Sequence, residues 1–141
     1  MERLTLKQRT LAQALKQLND SVNLFYLKKQ LEGISHEEYI AFRDSVVKRF
    51  EISFDLLWKY LKEFLFEVHG IEVASPRKVI RESFAQGLFT EDEMNLLIKM
   101  CNDRNLTAHT YDEDHSAEVA ERVIEYYYKI KPALFRVVEQ K

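Results

Sequence analysis

The chain has 141 residues, of which 46% are hydrophobic and 31% are charged, a balance typical of a folded globular domain rather than a disordered chain. Its apolar runs are only a few residues long, far short of the ~20 that a membrane-spanning helix needs. The stretch from Met1 to Lys16 carries charges throughout and lacks the continuous apolar segment of a signal peptide. These features exclude a membrane protein and predict one domain over residues 1–141.

Cysteine, histidine and net charge narrow the function classes further. The single cysteine excludes an internal disulfide and fits a reducing compartment, and the four histidines are scattered without zinc-ligand spacing. The formal net charge of −2 gives no overall basic field, so any contact with nucleic acid would have to be local. We therefore expect a cytoplasmic protein without a metal or a cofactor.

Helical periodicity dominates the first half of the chain. Leucines and other apolar residues at steps of three, four or seven predict a helix over residues 4–31. Ser35 and Glu38 form a capping-box pattern that opens a long second helix, which Gly70 closes after about residue 68. This second helix carries more apolar surface than one neighbour can cover. It is therefore expected to lie centrally in a bundle or to be buried also against another subunit.

The second half of the chain predicts a short helix and two longer ones. Ser75 and the proline after it open the short helix, which Gly87 ends. A capping-box pattern at Thr90 opens the fourth helix, which should end near residue 109, and residues 110–115 are polar and predicted to be a loop. The last helix is expected from about Ser116, with a kink or break at Pro132. Because no segment has the pattern of a strand, the fold class is all-α, an up-and-down bundle of four main helices plus a short helix.

The end of the fourth helix holds the candidate site. On a helical wheel, Arg104 and Asn105 fall within or beside the apolar arc of this helix, where a leucine would be ordinary. A buried guanidinium needs a carboxylate, a phosphate or an interface cleft. His109 and Tyr111 follow just where the helix should end, which places a cation, an imidazole and a phenol within a few residues.

This set of side chains fits metal-free cleavage of RNA. His109 would move a proton at the 2′-hydroxyl or the leaving oxygen, while Arg104 would stabilise charge on the phosphorane. Asn105 and Tyr111 would orient the phosphate. The alternative is structural: Arg104 pairs with an acidic residue, and His109 interacts with the helix C-terminus. Since Arg104 and His109 lie about 140° apart on an ideal helix, they converge only if the helix ends there or if the second copy of a homodimer contributes.

Several other residues have a functional and a structural interpretation. Arg77, Lys78 and Arg81 form a basic patch on the short helix that is suited to phosphate, or else a solvated face. The tyrosines at 126–128 are suited to base stacking, although a place in the core or a dimer surface is the simpler interpretation. Trp58 is predicted to be core, Cys101 an inert buried thiol, and His115 a loop residue.

Three segments together resemble a known family. Arg104, His109 and Tyr111 match the Arg-x4-His-x-Tyr motif of the HEPN superfamily, including the polar residue directly after the arginine. Residues 50–61 and 75–88 resemble the long-helix and short-helix signatures of one branch, the nucleotidyltransferase substrate-binding proteins, which are related to HepT toxins. The resemblance covers nearly the whole chain in helix order.

The resemblance implies a homodimeric helical bundle that works with a separately encoded minimal nucleotidyltransferase. The favoured hypothesis is a metal-independent ribonuclease of a toxin–antitoxin system, silenced when the partner transfers AMP to Tyr111. The first alternative is a non-catalytic subunit that presents a substrate to the nucleotidyltransferase. The second is a helical dimerisation or scaffold module.

Overall fold

The computed structural model describes residues 2–107 and 113–139. These residues form five α-helices, α1 (Glu2–Lys29), α2 (His36–His69), α3 (Pro76–Ala85), α4 (Glu91–Leu106) and α5 (Glu113–Glu139), and they include no strand. The predicted all-α bundle of four main helices and one short helix is confirmed. None of the described helices is both long and apolar enough to cross a membrane.

The helix starts follow the predicted caps to different degrees. At α4 the capping box is complete: the Thr90 hydroxyl accepts from the Glu93 N–H at 3.2 Å, and the Glu93 carboxylate accepts from the Thr90 N–H at 2.8 Å. At α2 the Ser35 hydroxyl accepts from the Glu38 N–H, whereas the Glu38 carboxylate receives the Ser35 hydroxyl instead of the N-cap N–H. At α3 the Ser75 side chain makes no capping bond.

Helix α2 lies at the centre of the bundle and contacts all four of the other helices. Its fully buried large side chains include Phe50, Phe54, Leu57, Leu61 and Leu65. On its α1 side, the buried Ser53 hydroxyl donates to the carbonyl of Ala14 at 3.2 Å. The neighbours within the bundle thus bury the middle of α2, whereas Phe66 and Val68 near its end are each 48% exposed. The homodimer stays a prediction.

Helices α1 and α5 run antiparallel and are joined along their length. Near one end, the Lys29 ammonium pairs with Glu121, and further along the Tyr127 hydroxyl donates to Asn19 at 2.8 Å. At the other end, the Gln8 amide donates to the carbonyl of Val138 at 2.8 Å. The order of these contacts fixes the up-and-down arrangement of the first and last helices.

A buried carboxylate joins α4 to α5. Asp103 is only 4% exposed, and it accepts from Arg122 Nε and from the Tyr126 hydroxyl, both at 2.8 Å. A buried charge is tolerated when a counter-ion and hydrogen bonds satisfy it. Because Asp103 directly precedes Arg104 in α4, this cluster also fixes the rotation of α4 about its own axis.

One prediction about α5 is wrong, and of the two outcomes predicted at Pro132, a kink or a break, the break is wrong. The helix begins at Glu113, so the last three residues of the predicted 110–115 loop are helical, because polar residues without glycine or proline do not by themselves end a helix. Residues 110–112 lie outside the described residues. The helix also continues through Pro132, where a break was a predicted outcome. Pro132 is exposed, so water can bind the carbonyl that its missing N–H leaves without a partner.

The unequal caps of α3 and α4 make a matched pair of stability predictions. Replacing Thr90 with alanine removes a hydroxyl that accepts a helix N–H, and we expect a loss of about 1 kcal/mol in the free energy of unfolding. The control, Ser75→Ala, removes no capping bond, so its effect should stay within about 0.5 kcal/mol. Urea unfolding of both variants measures the difference. Equal losses would contradict the cap assignment.

The buried tyrosines of α5 predict a loss of stability at alkaline pH. Burial is the main cause that raises the pKa values of Tyr126 and Tyr127 above the ordinary 10.0. The folded chain therefore holds protons that the unfolded chain releases as the pH rises above 10.0, and this favours unfolding by about 1.4 kcal/mol per pH unit for each tyrosine. We expect Tyr127→Phe to make the free energy of unfolding fall less steeply with pH, because one titrating tyrosine is removed. Urea unfolding over a series of alkaline pH values measures this slope. An unchanged pH slope would show that Tyr127 is not the group responsible.

Candidate functional site

Arg104 lies in the last turn of α4 and joins this helix to α2. Its Nε and Nη2 each donate to a different carboxylate oxygen of Asp55 at 3.0 Å, and its Nη1 donates to Glu51 at 3.1 Å. Nη1 also donates to the Thr107 hydroxyl at 2.6 Å. The side chain is only 27% exposed. The structural interpretation, in which Arg104 pairs with acidic residues, is what the described residues show.

These bonds nearly exhaust the donors of Arg104. A guanidinium has five N–H groups, and Asp55, Glu51 and Thr107 accept from four of them. One N–H of Nη2 has no acceptor among residues 2–107 and 113–139. Two carboxylates against one guanidinium give this cluster a formal charge of −1. The hydrogen bonds to Asp55 are the main cause that raises the pKa of Arg104 above its already high ordinary value.

Asn105 lies beside Arg104 on the rim of an open cleft of about 280 Å³. The cleft is formed by α2, the start of α3 and the end of α4, and we call it the Trp58 cleft; it is lined by Phe54, Asp55, Trp58, Pro76, Cys101, Arg104 and Asn105. Asn105 is exposed, and its amide makes no hydrogen bond with any described residue. Of the predicted site residues, Arg104 and Asn105 are thus brought together in one cleft.

His109 and Tyr111, the other two residues of the predicted site, lie outside the described residues. Their predicted roles in proton transfer, phosphate orientation and modification stay predictions. In the sequence, both residues fall between the described ranges 2–107 and 113–139. The first of these ranges ends at Thr107, whose hydroxyl accepts from Arg104.

A second histidine lies at this end of the bundle. The sequence predicts a loop position for His115, but the structure places it in the first turn of α5, where it is half-buried. It lines a small cavity with Leu106, Thr107 and Ser116. An imidazole therefore lies next to the residue that contacts Arg104, and sequence reasoning missed it because the polar run 110–115 predicts a single loop.

The basic patch is an exposed face of α3. Arg77, Lys78 and Arg81 are all exposed. Arg77 donates to the side chain of Asn102 on α4, while Lys78 and Arg81 form no ion pair with a described residue. The arrangement agrees with a solvated face and leaves binding of phosphate as a prediction.

The tyrosine run and Cys101 are mainly parts of the core. Tyr126 and Tyr127 are buried, whereas Tyr128 is 42% exposed and stacks edge-on against Tyr26. Cys101 is buried, and desolvation raises the pKa of its thiol, so the thiol stays protonated and unreactive at neutral pH. Within the described ranges, no three His, Cys, Asp or Glu side chains are grouped so that they could hold a metal ion.

Sequence reasoning missed the two carboxylates that pair with Arg104, and it missed that Trp58 lines the cleft. Glu51 and Asp55, one turn apart on α2, both face Arg104. A signal was available: the two acidic residues are four positions apart, on one side of α2 among its core positions. The inward guanidinium of Arg104 on α4 required such a carboxylate. The sequence predicts Trp58 as a core residue, but it is half-buried and lines the cleft.

Comparison with known proteins places the chain in a family. Residues 6–139 match the family model described as nucleotidyltransferase substrate binding protein like. A crystal structure of a protein from Thermus thermophilus is similar, with 31% sequence identity and a TM-score of 0.72 over 92% of this chain and 99% of that one. No curated protein sequence matches the chain significantly. Since the family model spans nearly all of the sequence, the chain belongs to the nucleotidyltransferase substrate-binding-protein-like family.

Proposed function

We propose that this chain is the ligand-binding subunit of a two-component system, in which a separately encoded minimal nucleotidyltransferase supplies the chemistry. The observation that supports the proposal most strongly is that Asp55 and Glu51 neutralise the charge of Arg104 at the edge of an open cleft. The match to a family described by nucleotidyltransferase substrate binding supports the same assignment.

The electrostatics of the cluster favour binding over catalysis. A residue that stabilises a phosphorane needs donors aimed at the position where charge develops. In the described residues only one N–H of Arg104 is without an acceptor, and the cluster of Glu51, Asp55 and Arg104 is negative overall. Asp112, Glu113 and Asp114 follow Tyr111 directly in the sequence and add charge that repels a phosphate backbone.

A metal-independent ribonuclease toxin is the second candidate. The motif formed by Arg104, His109 and Tyr111 favours it, together with the position of Arg104 at the very end of α4. In this candidate, an RNA phosphate displaces Glu51 from Nη1 of Arg104. His109 moves a proton at the 2′-hydroxyl or at the leaving oxygen. A symmetric homodimer would bring two such sets into one cleft. AMP on Tyr111 would add a negative phosphodiester beside Arg104 and occupy the place of the RNA phosphate.

The binding-subunit proposal predicts a stable complex with the nucleotidyltransferase encoded beside this chain. When the two proteins are co-expressed, we expect them to co-elute in size-exclusion chromatography. We also expect the chain to raise the release of pyrophosphate from ATP by the partner, because presenting a substrate stimulates transfer. Separate elution, with pyrophosphate release equal to that of the partner alone, would refute the proposal. Thr90→Ala, distant from the cleft, is the control for nonspecific loss of stability.

The ribonuclease candidate makes a different prediction for the isolated chain. It expects cleavage of RNA in a buffer with a metal chelator, loss of cleavage in His109→Ala, and faster cleavage in Glu51→Gln because one competing charge is removed from Arg104. Gel analysis of RNA incubated with each folded variant measures these rates. Absence of cleavage by the unmodified wild type and by Glu51→Gln would exclude this candidate.

If the wild type cleaves RNA, its regulation can be tested with the same material. Incubation with the partner and ATP should stop cleavage and add the mass of AMP to the peptide that contains Tyr111. Tyr111→Phe should escape both effects. Equal silencing of Tyr111→Phe would show that the partner inhibits by binding or at another residue.

A further inference from the structure

We propose that the Trp58 cleft binds one nucleobase that carries an exocyclic amino group, stacked on Trp58 and hydrogen-bonded by Asn105 and Asp55. The inference deepens the proposed function, since it names the class of ligand that a binding subunit would hold. It assigns a role to three residues of the cleft and places the site next to Arg104.

The size and walls of the cleft suit one flat ring system. Its volume of about 280 Å³ lies just below the ~300–1,000 Å³ of pockets that hold drug-sized ligands. Its apolar wall consists of Phe54, Trp58, Pro76 and Cys101. Because burial raises the pKa of the Cys101 thiol, the thiol stays neutral and behaves as part of this apolar wall.

Trp58 offers an unoccupied stacking surface. It is half-buried, and its indole has neither a ring contact nor a hydrogen bond with any other described residue. An indole with one side packed and the other facing an open cleft is the arrangement on which proteins stack bases. Without a ligand, the indole leaves apolar surface in water beside the charged side chains of Asp55 and Arg104.

The polar groups of the cleft match the edge of a base. The Asn105 amide has a donor and an acceptor side by side, and no described residue engages either of them. An amide of this kind pairs with adjacent acceptor and donor atoms on a base, as asparagine does with adenine. Each Asp55 oxygen receives one N–H of Arg104 and keeps lone pairs that can accept from an amino group.

The charge of the cluster argues for recognition of the base rather than of phosphate alone. Glu51 and Asp55 outweigh Arg104 by one negative charge, so an inorganic phosphate gains little there. An amino group on a base is attracted by the same carboxylates. Adenine, cytosine and guanine carry such a group, whereas uracil does not, so the cleft should discriminate against uracil.

The single tryptophan of the chain makes the test direct. Because Trp58 is the only tryptophan, fluorescence excited at a wavelength that tyrosine does not absorb reports on this cleft alone. We expect saturable quenching by AMP and CMP, weaker quenching by UMP, and none by ribose 5-phosphate, which lacks a base. Short adenine and uracil oligoribonucleotides form the second arm and separate a strand of RNA from a free nucleotide as the source of the base.

Two variants and one control locate the binding. Asn105→Ala should raise the Kd for AMP severalfold, whereas Asn95→Ala, at an exposed position of the same helix, should not change it. In Trp58→Leu, followed by calorimetry, the Kd should rise about 5- to 150-fold, which corresponds to the loss of one stacked base. If Trp58→Leu does not fold, Asn105→Ala against Asn95→Ala decides the question.

Each outcome has one meaning. Quenching by mononucleotides, by oligonucleotides or by both supports a base site and identifies its source. No saturable quenching by either, equal quenching by ribose 5-phosphate, equal quenching by AMP and UMP, or equal affinities of Asn105→Ala and Asn95→Ala would overturn it. The proposed function fails separately, through loss of the complex with the nucleotidyltransferase. A complex that persists without base binding would overturn only the inference about the cleft.

Discussion

The bidentate ion pair between Arg104 and Asp55 is the constraint on which the arrangement of the site depends. It fixes the last turn of α4 against the middle of α2, and Glu51 and Thr107 hold the same guanidinium from the other side. Half-buried ion pairs contribute little net stability, because desolvation offsets most of the attraction. Their effect is geometric: the planar guanidinium and the two carboxylates set the distance and rotation of one helix relative to the other.

The cluster around Asp103 completes this constraint from a second face of α4, because successive residues of a helix point about 100° apart. Asp103 is held by Arg122 and Tyr126 of α5, while its neighbour Arg104 is held by α2. Successive residues of one helix are thus tied in two different directions, so α4 cannot rotate without breaking charged hydrogen bonds. These two ties hold α4 in the orientation that places Asn105 at the Trp58 cleft.

Local sequence signals predicted the fold well. The candidate site depends on contacts between residues far apart in the sequence, and these contacts could not be predicted. The capping box at Thr90 and the αL glycine at Gly70 act within a few residues, so their patterns mark helix ends reliably. The inward position of Arg104 also followed from its helical wheel. Its partners did not, since Glu51 and Asp55 lie about fifty residues earlier and only packing brings them together. Trp58 packs against the core as predicted, but it also lines the cleft. Periodicity identifies the inner face of a helix, and it does not show where neighbouring helices stop covering that face.

The contact between Gln8 and the carbonyl of Val138 brings the first turns of α1 beside the last turn of α5. With α5 spanning 27 residues, or about 40 Å, this place lies at the opposite end of the bundle from the start of α5, where the connection from α4 arrives. Affinity tags, fluorescent labels or a surface linkage at either end of the described chain would therefore lie far from the start of α5. The same proximity makes the bundle a suitable scaffold for circular permutation, in which a short linker joins the two ends and new termini are opened elsewhere.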